Sequence, residues 1–151
     1  MKQRIPCLLL ALFLYIGLAA LVALLSKSST AAAGATRYVA PGGDCGGAAP
    51  CYSTIQDAVD AAGDGDAIKV ARGVYTDIHY YPAPTGYSTL RADKLLAQVV
   101  YLDKPLVIVG GYTNTFTEPP DGDANPTTLD ATGMGRGLFI AGDVSVIVEG
   151  L

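Results

Sequence analysis

Histidine occurs once in this sequence, as His79, and cysteine only three times, which leaves little from which to build a metal site of imidazoles or paired thiolates. Cys45 and Cys51 form a C-x5-C pair with no second ligand pair, and His79 is distant from both along the chain. A lone histidine with no neighbouring acid or nucleophile also makes no catalytic constellation, because nothing local orients it as a base. Basic residues are scarce as well. Beyond residue 35 only Arg37, Lys69, Arg72, Arg91, Lys94, Lys104 and Arg136 remain, against all 14 acidic residues, so this part carries a net charge near 7 minus 14, or −7. Nucleic-acid binding needs clustered Lys and Arg to replace counterions on phosphates, and these seven form no patch. Nucleic acid is therefore not an expected partner. No cofactor motif is found, and no cofactor is expected.

What is present begins with a leader. Lys2 and Arg4 precede an apolar run from Cys7 to Leu25; Ser26 to Thr30 then break the hydrophobicity, and small residues fill 31 to 35. Basic, apolar, small is the order of a secretory signal, with A-x-A cleavage sites at Ala31-Ala32-Ala33 or Ala33-Gly34-Ala35. The apolar run is longer than the roughly 7 to 15 residues of a cleaved signal and approaches the roughly 20 that span a bilayer. Residues 1–35 are thus read as a signal peptide or an N-terminal membrane anchor, and the small-residue cluster favours cleavage. Both readings export the rest, as a secreted or cell-surface protein that meets a membrane only through this segment. Cys7 begins the apolar run, unlike a lipoprotein cysteine, which ends one. In an oxidising space, the flexible loop Gly42 to Cys51 allows a Cys45–Cys51 disulfide, the preferred reading of that pair.

The remainder reads as short strands with one helix. Arg37 to Ala40 is an entry strand, and Ser53 with Gln56 matches the S-x-x-Q capping box. Ile55, Ala58, Val59 and Ala62 follow at helical spacing, and Gly63 supplies the stop. In Ala67 to Ala71, Ile68 and Val70 share one face and Lys69 the other, the pattern of a half-buried strand. This alternation predicts that Val70→Asp buries an unpaired charge whereas Lys69→Asp is mild. After the turn Arg72 to Tyr75, apolar runs recur at Val99 to Leu102, Leu106 to Val109, Leu129, Leu138 to Ile140 and Val144 to Val148, with no second helix. The centres Ile108, Leu129 and Val148 are 21 and 19 residues apart, which predicts a solenoid coil of about 20 residues.

The stretch from Tyr52 to Tyr75, Y-x-T-I-Q-x-A-V-x-A-A-x-x-G-D-x-I-x-V-x-x-G-x-Y in outline, resembles the N-terminal cap and first coil of right-handed parallel β-helix proteins of the pectate-lyase-like superfamily. Leu106 to Tyr112 and Asn125 to Asp130 are similar to the following coils of exported bacterial members, so the likeness covers most of residues 37–151. It implies an all-β solenoid with one capping α-helix: residues 36–66 as cap with disulfide loop, and 67–151 as the first coils, interrupted where another begins. It gives the helix a purpose, that of covering an open apolar end that would otherwise pair with another chain.

Activity does not follow from that fold, whose members include polysaccharide lyases, glycoside hydrolases, pectin esterases and noncatalytic surface proteins. No strand here sets two or more catalytic groups in a row, so no catalytic residue is carried over. The expectation is a noncatalytic secreted or surface scaffold that binds glycans or other cell-surface polymers. The alternative is the N-terminal part of a polysaccharide-active enzyme whose catalytic coils lie beyond residue 151.

Three segments invite sharper readings. Asp121-Gly122-Asp123-Ala124-Asn125 begins like a calcium loop, but Pro126 replaces the needed glycine and Thr132 the bidentate Glu, so a solvated turn is preferred. Gly133 to Gly137 lacks the helix that a phosphate loop requires and reads as a coil turn. Asp77 to Gln98, with His79, Tyr80, Tyr81, Pro82, Pro84 and Tyr87, is too long for a turn and reads as an insertion. Its aromatic rings either stack on sugars or cover the first coil.

Overall fold

A computed structural model describes residues 34–84 and 95–151, all within one unit that runs Ala33–Leu151. The strands are β1 (Thr36–Val39), β2 (Cys51–Tyr52), β3 (Ala67–Ala71), β4 (Gly73–Tyr75), β5 (His79–Pro82), β6 (Leu95–Leu102), β7 (Val107–Tyr112), β8 (Thr127–Leu129), β9 (Arg136–Ile140) and β10 (Ile147–Glu149). Among the described residues α1 (Ile55–Ala61) is the one α-helix. No described helix is long and apolar enough to cross a membrane; the run Cys7 to Leu25 lies outside the described residues.

The architecture is β-rich and mainly parallel. One sheet has the order β10-β7-β3-β1-β2, a second is β4-β8 and a third β5-β6-β9. Every pairing is parallel except β5 with β6. Strands β3, β4 and β6 thus pair in the same order with β7, β8 and β9. Ile68 faces Ile108 and Ile108 faces Val148, an interval of 40 residues each time. The interval of about 20 residues predicted from apolar spacing is therefore corrected. Leu129 lies in β8 and faces Tyr75, because between Ile108 and Val148 the chain passes through two other sheets. Apolar spacing marks strand centres but says nothing of which sheet each joins.

The alternation in β3 orders the core. Ile68 and Val70 are fully buried and pack with Val39, Val100, Leu102, Leu106 and Ile108, while Lys69 points away. Ile55, Ala58 and Val59 of α1 belong to the same cluster, and the helix packs against β6 and the three strands β1, β2 and β3. Burial of side chains of this size stabilises by roughly 1.5–3 kcal/mol each.

The helix starts one residue later than the S-x-x-Q pattern predicts. Thr54 is the N-cap, with its hydroxyl accepting from the Asp57 N–H at 3.1 Å, and Ser53 is exposed. The shift by one residue turns Gln56 inward. Fully buried, it accepts the Tyr101 N–H at 2.7 Å and donates back to the Tyr101 carbonyl at 3.4 Å, so its amide takes the place of a neighbouring strand. At the other helix end, Lys104 donates to the carbonyls of Val59 and Ala62, both at 3.1 Å, a cation where the helix dipole is negative. Asp66 then ties this end to β1: it accepts from Gly63 N–H at 2.8 Å, from Ala35 N–H at 2.6 Å and from the Arg37 guanidinium. Arg37 also reaches the Ala61 carbonyl at 2.5 Å. These donors hold the Asp66 carboxyl below the usual carboxylate range, the Gly63 N–H foremost, against the opposing effect of desolvation.

A smaller apolar cluster covers the outer face of the five-stranded sheet. Cys45, Tyr112 and Phe116 form it with Ala40 and Ala71, and Tyr38, Cys51 and Val109 pack alongside. Cys45 and Cys51 are joined as a disulfide with Cα atoms 5.9 Å apart, the pair expected from the sequence.

Candidate functional site

The aromatic segment singled out in the sequence is partly an arm of the third sheet. β5 runs antiparallel to the first half of β6, with His79 opposite Gln98 and Tyr81 opposite Leu96. Tyr87, Arg91 and Lys94 lie outside the described residues. Tyr81 stacks on Tyr101 with ring centroids 4.3 Å apart and planes within 5°, and Tyr101 stacks on Phe139 at 5.7 Å and 12°. The Arg136 guanidinium lies 5.6 Å from the Phe139 centroid. These rings meet face to face across three adjacent strands, so their inner faces are already covered. The Tyr81 hydroxyl donates to Asp60 at 3.3 Å; burial foremost, then the Asp60 charge, pushes it up to about 12. Tyr80, by contrast, is 59% exposed and offers its ring to solvent.

The His79 carbonyl accepts from Gln98 Nε2 at 3.1 Å; among the described residues its own Nε2 is buried without a hydrogen-bond partner, as is Gln98 Oε1. The calcium-like loop is a turn held by Asp121, whose carboxylate accepts the N–H groups of Asp123 and Ala124, both at 3.0 Å. Among the described residues no three His, Cys, Asp or Glu side chains gather in a metal-binding cluster. At Gly133 to Gly137, the Met134 N–H closes a turn on the Ala131 carbonyl at 2.8 Å, and β9 follows.

On the outer face of the five-stranded sheet, Lys69 pairs with Glu118 and lies 5.1 Å from the Tyr112 ring centroid. The Tyr112 hydroxyl donates to the same carboxylate at 3.1 Å. Lys69 holds the Glu118 carboxyl below its ordinary range, and Glu118 raises the Lys69 ammonium in turn. The group is a clasp that fixes the segment after β7 over the sheet.

The two-stranded sheet presents a different surface. Val74 of β4 and Thr128 of β8 face each other in register and are both exposed, Val74 by 61%. With Arg72, Gly73, Ala124 and Pro126 they line a shallow recess of about 480 Å³. A larger recess of about 750 Å³ adjoins it, bordered by Asp123, Leu129, Leu138 and Val148 beside the unpaired edges of β8, β9 and β10. Nothing in the sequence separates Arg72 from the turn that contains it. Its distinction is relational: Arg37, Lys69, Lys104 and Arg136 are each engaged by a carboxylate, a helix end or a ring, whereas the Arg72 guanidinium has no partner among the described residues.

No protein-family model, curated protein or solved structure matches the chain.

Proposed function

We propose that the chain is an exported scaffold, secreted or held at the cell surface, whose β-rich part is a right-handed parallel β-helix and whose outer faces bind glycans. The observation that carries this reading is the recurrence of three parallel ladders in one order, with an interval of 40 residues between paired centres in the largest sheet. In this reading β3, β4 and β6 form one coil, β7, β8 and β9 the next, and α1 is the lid on the first. Parallel strands joined by crossovers are almost always connected with a right-handed sense. The outer faces of such a stack are long, flat and rigid, suited to a polymer that must be held at several points along its length. The basic, apolar, small order of residues 1–35 and the Cys45–Cys51 disulfide support export.

Two measurements test the proposal. Ala67→Cys with Val107→Cys, which face each other in β3 and β7, is expected to form an internal crosslink on mild oxidation, whereas Val107→Cys with Leu129→Cys is not. Crosslinking of the second pair alone would refute the coil assignment. For the function, sedimentation of the chain with a panel of insoluble polysaccharides is expected to deplete it from solution with at least one of them. Failure with every polymer would refute the glycan reading.

A further inference from the structure

We propose that Arg72, with Val74 and Thr128, forms a subsite for one anionic sugar residue within an otherwise neutral glycan, the anion being a carboxylate or a sulfate on the sugar ring. This rests on the glycan-binding reading and names the chemistry that the second sheet would select. Three observations converge on it. Arg72 is exposed and, of the basic side chains in the described residues, is the one with no acceptor or ring beside it. Its backbone is fixed on both sides: the Arg72 N–H donates to the Tyr112 carbonyl at 2.7 Å, and the Gly73 N–H to the Pro126 carbonyl at 3.0 Å. Gly73 has φ 153°, and a Cβ there would meet Pro41 Cγ at 2.5 Å, so the strand passes too close to Pro41 for any other residue. The guanidinium therefore projects from a rigid base.

The neighbours define the rest of the ligand. Val74 and Pro126 supply an apolar patch that fits the C–H face of a pyranose ring, and the Thr128 side chain adds a hydroxyl able to donate or accept. A guanidinium fork matches a planar carboxylate with two parallel N–H bonds and also binds the oxygens of a sulfate. Density of charge sets the other limit. Asp123 lies in the adjoining recess, and residues 36–151 carry a net charge near −7, so a polymer charged at every residue is repelled by the surface as a whole. A single charge spaced among neutral sugars keeps the contact with Arg72 and avoids most of that repulsion, which salt screens beyond about 8 Å.

The test is a nuclear magnetic resonance titration of the full chain in detergent micelles at physiological salt, with methyl glucuronide, methyl glucoside and a sulfated methyl glucoside as probes. The Arg72 Nε–H and the amides of Val74 and Thr128 are expected to shift with the glucuronide, with the sulfated sugar, or with both, and not with the neutral glucoside. Response to one anion and not the other identifies which source the site reads. Arg72→Gln is expected to weaken binding at least about tenfold, and Arg72→Lys to weaken it less, since an ammonium keeps the charge but loses the fork. Because Arg72 is exposed, the variants should retain the dispersed spectrum of the parent, which separates lost binding from lost folding. Equal shifts with the neutral glucoside, no shift with either anion, or unchanged affinity in Arg72→Gln each overturns the proposal. The polysaccharide sedimentation distinguishes the two levels: a chain that binds polymers carrying scattered carboxylate or sulfate groups equally well with and without Arg72 keeps the glycan reading and loses this one.

Discussion

The alternation of side chains in β3 is tested most sharply by placing one carboxylate on each of its faces. Val70 is fully buried in the main core, so in Val70→Asp the acid has neither solvent nor a designed partner. Full burial raises a carboxyl pKa by up to 3–5 units, and each unit corresponds to about 1.4 kcal/mol, which puts the cost at neutral pH at about 4–7 kcal/mol. Loss of the valine adds about 1.5–3 kcal/mol. That total reaches the whole stability of an ordinary domain, about 5–15 kcal/mol, so Val70→Asp should be largely unfolded at pH 7. The ionisation part of the cost disappears on protonation, and the variant should regain structure as the pH is lowered toward 4. Lys69→Asp behaves differently, though less mildly than alternation alone predicts. The substitution removes the ammonium beside the Tyr112 ring, worth about 0.5–1 kcal/mol, and sets a second carboxylate beside Glu118. A folded protein with a modestly lowered urea midpoint is expected. Urea unfolding followed by circular dichroism at pH 7 and pH 4 measures both variants. Equal midpoints, or a Val70→Asp protein indistinguishable from the parent at pH 7, would refute the assignment of inner and outer faces.

The other predictions concern the polar ties around the helix and the loop. Asp66 has a lowered carboxyl pKa, so its contribution is fully present above the ordinary carboxylate value near 4 and is lost as the pH falls through the lower folded value. Asp66→Asn should therefore lower the melting temperature at pH 7, at a cost of about 1.5–3 kcal/mol, and the gap to the parent should close only below about pH 4; a gap constant down to pH 2 contradicts the role. Gln56→Ala leaves the Tyr101 N–H without its acceptor and should cost about 1–3 kcal/mol by urea unfolding, whereas no loss would mean that water replaces the amide. Replacing Cys45 and Cys51 together by serine opens a short loop and should destabilise by about 2 kcal/mol, read as a midpoint shift that reduction of the parent reproduces.

What could be read from the sequence was whatever depends on near neighbours. Ile68, Lys69 and Val70 reveal their faces because strand geometry alternates with every residue, and Ile55, Ala58 and Val59 because helix geometry returns every three or four. Cys45 and Cys51 are close enough in sequence for one short loop to bring them together. What escaped depends on distant partners. Ser53 and Thr54 are both N-cap residue types, serine the better of the two, and the choice of Thr54 goes with Gln56 facing Tyr101, a contact across 45 residues. Gly63 to Asp66 looks like an ordinary turn until Ala35 and Arg37 arrive to use its carboxylate. The same holds for the repeat interval, where Leu129 has the composition of a strand centre like Ile108 and only its pairing with Tyr75 assigns it elsewhere.

This division bears on where function can be sought in the chain. Its conspicuous side chains are mostly committed to structure: Tyr81, Tyr101 and Phe139 stack on one another, Asp121 shapes its own turn, and Lys69 clasps Glu118. A group already hydrogen-bonded or stacked must give up that partner before it can meet a ligand, whereas an exposed group with none gives up only water. The comparison therefore favours Arg72 over the richer aromatic arm, although Arg72 has the plainer sequence context. If Tyr80→Ala and Tyr81→Ala together abolished polysaccharide sedimentation while Arg72→Gln left it unchanged, that ordering would be reversed and the arm, not the second sheet, would hold the glycan.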